Sequence, residues 1–135
     1  MRFVDTNVFL RHLTGDDPKK ARACFELFQR AQRKEVTLTT SEAVIAEIVY
    51  VLSSKQVYAL TREEIRARLY PLLSLPGLRL THRKAYLRAL DLYVSYPLDF
   101  EDAILAAQME RQKVREVYSY DREFDRVPSI ERLEP

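Results

Sequence analysis

Short β-branched or apolar runs alternate with amphipathic helical stretches along the whole chain, and this alternation limits the fold more than any other feature. RFVD (2–5), VTLTT (36–40), LRLT (78–81) and VREVYSY (114–120) each read as a strand, with an edge strand expected around Ile130 and Leu133. Helices fill the intervals. Asp17 and Pro18 supply an N-cap and a first-turn proline for KKARACFELFQRAQRK, whose expected buried stripe is Ala21, Cys24, Phe25, Phe28 and Ala31. Thr39 and Glu42 have capping-box spacing ahead of SEAVIAEIVYVLSS, and Thr61 and Glu64 repeat it ahead of Ile65, Leu69, Leu72 and Leu73. Pro76-Gly77 turns the chain into the third strand. Ala85, Tyr86, Ala89, Leu90 and Tyr93 mark a further helix, and DFEDAILAAQMERQ another after Pro97. Strands separated by helices pair in parallel through crossover connections, so the expected class is α/β with helices on both faces of the sheet.

The remaining composition narrows the function. At 135 residues the chain is expected to be one domain with a core of its own. A single cysteine, Cys24, allows no internal disulfide and no thiolate metal site. Arg2 and Asp5 interrupt the amino terminus, and no apolar run reaches membrane-spanning length, so a cytoplasmic protein with no membrane association is expected. A net charge of +2, from 22 basic and 20 acidic residues, does not by itself announce a nucleic-acid partner. What matters is where the charges sit.

In open parallel sheets, ligands collect beyond the carboxyl ends of the strands. FVDTNVFL places Asp5, Thr6 and Asn7 (the only asparagine) at the end of the first strand, and SYDREFD places Asp121 at the end of a later one. Asp102 falls in the first turn of DFEDAILAA, and Glu47 at the border of the stripe Val44, Ile48, Val51, Leu52. Each acid also admits a structural role: Asp5 or Thr6 as a helix cap, Asp99 as an N-cap, Asp102 as a partner of the helix dipole, Asp121 as a turn residue. Asp99 can both cap and line a pocket, while Glu101 and Asp125 read as ordinary surface acids. Brought together, bare carboxylates repel, by roughly 4 kcal/mol at about 4 Å and an effective dielectric of about 20. A divalent cation would relieve that repulsion, and oxygen-only donors point to Mg²⁺ or Mn²⁺ over zinc.

FVDTNVFL, AEIVYVL, DFEDAILAA and YSYDREFD, in that order, resemble the four acidic motifs of the PIN-domain family, and within it the VapC-type ribonuclease toxins of toxin–antitoxin pairs. The resemblance covers essentially the whole chain. It implies a single PIN domain over residues 1–135, a three-layer α/β/α sandwich with a central parallel sheet of four or five strands. It further implies a Mg²⁺- or Mn²⁺-dependent endoribonuclease leaving a 5′-phosphate and a 3′-hydroxyl, a homodimer, and a cognate antitoxin. The matching catalytic and metal-binding residues are Asp5, Glu47, Asp102 and Asp121. Thr6, Asn7, Asp99 and Ser119 match supporting positions that orient the carboxylates. Arg122, next to Asp121, is the best placed to grip RNA phosphate, with Arg126 and Arg11 as further candidates, whereas Lys19 and Lys20 read as solvated surface. His12 and His82 read as surface or helix-end residues.

Other phosphate chemistries fit less well. A haloacid-dehalogenase-like phosphatase needs a second acid where Asn7 stands, and a receiver domain needs an acid where the third strand ends in Thr81-His82. Gly15 and Gly77 cannot build a serine-hydrolase elbow. Two alternatives stay open: a PIN-like module that binds RNA or a partner without cutting, and a PIN nuclease of RNA maturation outside any toxin pair. The tyrosines Tyr50, Tyr58, Tyr70, Tyr86 and Tyr93 are expected in the core, with those between residues 41 and 73 also suited to an interface.

Overall fold

Six α-helices, five short strands and one 3₁₀ helix form along the chain. The computed structural model describes all 135 residues, Met1–Pro135, as two units, Met1–Arg83 and Lys84–Pro135. In the first, β1 (Arg2–Phe3), α1 (Thr6–Thr14), α2 (Pro18–Gln32), β2 (Leu38–Thr39), α3 (Glu42–Ser53), α4 (Arg62–Leu73) and β3 (Leu78–Arg79) follow in order. Its sheet has the order β1-β2-β3 and is parallel throughout, with Arg2 opposite Leu38 and Leu38 opposite Leu78. In the second, α5 (Arg83–Ser95) and α6 (Phe100–Gln112) precede β4 (Glu116–Tyr118), the 3₁₀ helix Arg122–Arg126 and β5 (Glu131–Leu133). There β4 pairs with β5, again in parallel. The α/β class and the parallel pairing are as the alternation implies. The five strands fall into sheets of three and two, and each is two or three residues long.

The strands are short because side chains and caps take over the backbone partners at their ends. VTLTT is ladder only at Leu38–Thr39. Beyond it, the Thr40 hydroxyl donates to the Val4 carbonyl at 2.8 Å, and Ser41 becomes the N-cap of α3, accepting from the Val44 amide at 3.2 Å. This corrects the expected Thr39–Glu42 box: Thr39 lies in β2 and donates to the Arg79 carbonyl at 2.7 Å. The second box is present in full, with Thr61 and Glu64 each bonding the other's backbone. Asp17 caps α2 through the Lys20 amide at 3.1 Å, with Pro18 at the first helical position. Caps of this kind contribute about 1 kcal/mol each.

Packing follows the periodicity on α4 and α5 and departs from it on α3, where Ile45 and Val49 are buried and Val44 and Val51 half-buried, and on α2. Ile65, Leu69, Leu72 and Leu73 are buried on α4, and Ala85, Tyr86, Ala89, Leu90 and Tyr93 on α5. On α2 only Phe28 and Ala31 are fully buried, while Phe25 is 48% exposed. Its ring lies nearly flat on His12, with centroids 6.0 Å apart, and His12 meets Phe28 edge-on at 5.1 Å. His12 is therefore packed between aromatics at the end of α1, and burial lowers its pKa. The tyrosines divide: Tyr86 and Tyr93 are core, Tyr58 bonds Asp16, Tyr70 lies under Arg66, and Tyr50 is exposed. Gly77 is required by contact, since a Cβ there would lie 2.5 Å from the Ala31 carbonyl oxygen. Its amide donates to that same oxygen at 2.9 Å, which fixes the end of α2 to the turn before β3. In the second unit, Arg88 on α5 forks onto the Glu110 carboxylate of α6 at 2.8 and 3.1 Å, and Tyr93 meets Phe100 edge-on.

Candidate active site

In the first unit the site is built at the amino end of α1. Asp5 follows β1 by two residues and stands at the N-cap position, yet its side chain makes no capping hydrogen bond. Its carboxylate is thus not consumed by the helix, although the unpaired first-turn amides and the helix dipole favour a negative charge there. The backbone beneath it is held from two directions: Val4 donates to the Thr39 carbonyl at 2.9 Å and accepts from the Thr40 hydroxyl. Thr6, the next residue, is buried and donates its hydroxyl to Oε2 of Glu47 at 2.9 Å. That bond ties α3 to α1 and sets the Glu47 carboxylate beside the residue that follows Asp5. Asn7 is exposed in the first turn of α1 and its side chain has no partner. Arg11 lies in the last turn of α1, roughly 9 Å of helix rise from Asp5.

In the second unit three acids gather at the amino ends of two helices. Asp99 caps α6, its Oδ1 accepting from the Asp102 amide at 2.9 Å. Asp121 caps the 3₁₀ helix, its Oδ1 accepting from the Glu123 amide at 3.0 Å. Ser119 supports that turn by accepting from the Asp121 amide at 2.9 Å. Asp102 lies beside both carboxylates. Burial first, then the charges of Asp99 and Asp121 and hydrogen bonds to them, push its carboxyl up from 3.8 to about 6. Near neutrality this group is poised to share a proton with its neighbours or to give it up to a cation. Asp125 is spoken for, since Arg132 holds it at 2.9 Å. Arg122 and Arg126 are exposed on the 3₁₀ helix and enter no ion pair.

No three His, Cys, Asp or Glu side chains stand ready in ligating geometry. Within each unit the donors are carboxylate oxygens, the kind that suits a hard cation. A cavity of about 590 Å³ in the second unit lies elsewhere, walled by Met109, Val114 and Ile130.

Residues 2–130 match the PIN domain family. The chain belongs to the PIN domain family. It is also similar to the VapC ribonuclease of Aquifex aeolicus (strain VF5), at 28% identity over 128 residues, 94% of this chain and 92% of that protein. Within this PIN chain the sequence reading missed one supporting residue, Thr40, whose hydroxyl fixes the carbonyl just before Asp5. The signal was the doubled threonine closing VTLTT, two hydroxyls at a strand end where one would satisfy β propensity. No helix is long and apolar enough to cross a membrane.

Proposed function

We propose that this PIN protein is a Mg²⁺- or Mn²⁺-dependent endoribonuclease, the toxin of a VapC-type toxin–antitoxin pair, acting as a homodimer in the cytoplasm and restrained by a cognate antitoxin. The proposal includes a single PIN domain over residues 1–135, with the family's three-layer arrangement around a central sheet of four or five strands. The observation that carries the nuclease reading is the gathering of Asp99, Asp102 and Asp121 at two helix amino ends, which pushes the Asp102 carboxyl up to about 6. Packing alone gives no reason to keep acids together at that cost, whereas a cation site does.

Asp5, Glu47, Asp102 and Asp121 would hold the ion, with Asp99 as a further donor. Once bound, a divalent cation supplies charge neutralisation, and Lewis acidity toward a phosphodiester and the attacking water. The chain itself provides orientation. Thr6 fixes the Glu47 carboxylate, Ser119 fixes the turn that presents Asp121, and the caps hold Asp99 and Asp121 at helix amino ends where backbone N–H groups favour anions. Asn7 is free to reach Asp5 or the substrate. Arg122 and Arg126 offer guanidinium forks to RNA phosphates, and Arg11 offers a third from the other end of α1. The test is incubation with total RNA, with and without Mg²⁺, and mapping of the ends. Cation-dependent cuts leaving 5′-phosphates, lost in Asp5→Asn, are expected; cutting that persists in chelator or in that variant refutes the mechanism.

A further inference from the structure

Tyr118 ends β4 and Tyr120 lies two residues on, directly before Asp121. Their side chains are 71% and 70% exposed. Neither phenol makes a hydrogen bond and neither ring meets another ring or a cation, unlike Tyr58, Tyr70 and Tyr93 elsewhere in the chain. Val117 and Ser119, which alternate with them, are half-buried, so the two rings share the outward side of the segment. Arg122, which opens the 3₁₀ helix two residues on, is exposed and without an ion pair, and Arg115 and Arg126 are exposed and unpaired nearby. Arg132, by contrast, is committed to Asp125, Glu134 and the Ser119 carbonyl. The segment around Asp121 is therefore hydrogen-bonded through its backbone and open in its aromatic and cationic side chains.

We propose that Tyr118 and Tyr120 are a stacking platform for the RNA bases that flank the bond being cut. This rests on the nuclease reading above and adds the residues that hold the substrate's bases. A phosphate gripped by Arg122, next to Asp121, carries its flanking bases past these rings. Stacking needs only a π-face, so the platform tolerates any base sequence but rejects bases already paired in a helix. The free guanidiniums argue for a polyanion as the occupant, since an apolar protein surface would leave them buried and unpaired.

The test measures binding of a fluorescein-labelled 12-nucleotide RNA by anisotropy, alone and annealed to its complement, with Asp5→Asn protein to prevent cutting. Tyr118→Ala and Tyr120→Ala, added singly to that background, should each weaken single-strand binding roughly five- to a hundredfold. The Phe variants should bind as the parent does. The salt dependence should keep its slope in the alanine variants and flatten in Arg122→Gln. Thermal melts of the exposed-site variants should match the parent, which separates loss of stacking from loss of fold. Unchanged single-strand affinity in both alanine variants overturns the proposal, as does equal affinity for the duplex. So does a change of oligomeric state in those variants without loss of RNA binding, which would assign the rings to a contact between copies. Metal-dependent cutting by the wild type and by the tyrosine variants alike would sink the platform and leave the nuclease standing. Absence of cutting by the wild type on every RNA would remove both.

Discussion

Replacing Asp102 with Asn should stabilise the metal-free protein while ending its activity. Asn keeps the shape of a protonated carboxyl and can still donate to Asp99 or Asp121, but it carries no charge against them. Holding a carboxyl at about 6 instead of 3.8 corresponds at full strength to about 3 kcal/mol against the ionised form. Asp102 is only partly buried, and solvent screening brings the expected gain to about 1 kcal/mol. For a chain of this size that raises the melting midpoint by about 3–5 °C. The sign has a pH signature. Folded Asp102 binds its proton more tightly than the unfolded chain does, so its contribution to stability is greatest below about 4 and falls as pH rises through about 6. The difference between Asp102→Asn and wild type should accordingly be near zero at pH 4, grow through pH 6, and level off above it. Urea melts in chelator across pH 4–8 would measure it. Saturating Mg²⁺ should then raise the wild-type midpoint and leave the variant's nearly unchanged. A variant no more stable than wild type at pH 7.5, or a difference that ignores pH, would refute the crowding of these carboxylates.

Thr6→Val removes a hydroxyl at constant shape and frees Glu47; it should cost about 1 kcal/mol in urea melts and reduce RNA cleavage by more than its effect on folding explains. Gly77→Ala should destabilise by about 3 kcal/mol, because the new methyl is pressed between the backbone carbonyls of Ala31 and Val36, which have little room to give; a melting midpoint equal to wild type would contradict the close approach. Burial lowers the His12 pKa below its ordinary 6.5, so unfolding takes up a proton on acidification and stability is lost as pH falls below that value. His12→Leu should flatten that loss in melts between pH 7 and 5, a dependence opposite in sign to that of Asp102.

Much of this fold is legible in the sequence. Asp17-Pro18 and Thr61-x-x-Glu64 mark helix starts by local hydrogen-bonding chemistry, which acts within a few residues and leaves its trace there. The motif acids sit where strand ends and helix starts were expected, and Asp102 crowds against Asp99 and Asp121. Three things were hidden. The start of α3 was placed at a Thr39–Glu42 box; Thr39 is instead committed to Arg79, forty residues on, and Ser41 takes the cap. Phe25 looked like core by period, but His12, from the preceding helix, covers it on one face and leaves the other in water. Asp5 could have been spent on its own helix; that its carboxylate is not depends on backbone angles that no residue pattern encodes.

The threonine hydroxyls at 39 and 40 have one more consequence. A ladder of two residues has too few rungs to set its own end, and here side chains supply the missing ones. The address of Asp5 is written in oxygen atoms that can be removed one at a time. Trading either hydroxyl for a methyl would let the strand tip drift while the helices stay packed. Such a protein could keep its shape and lose its aim.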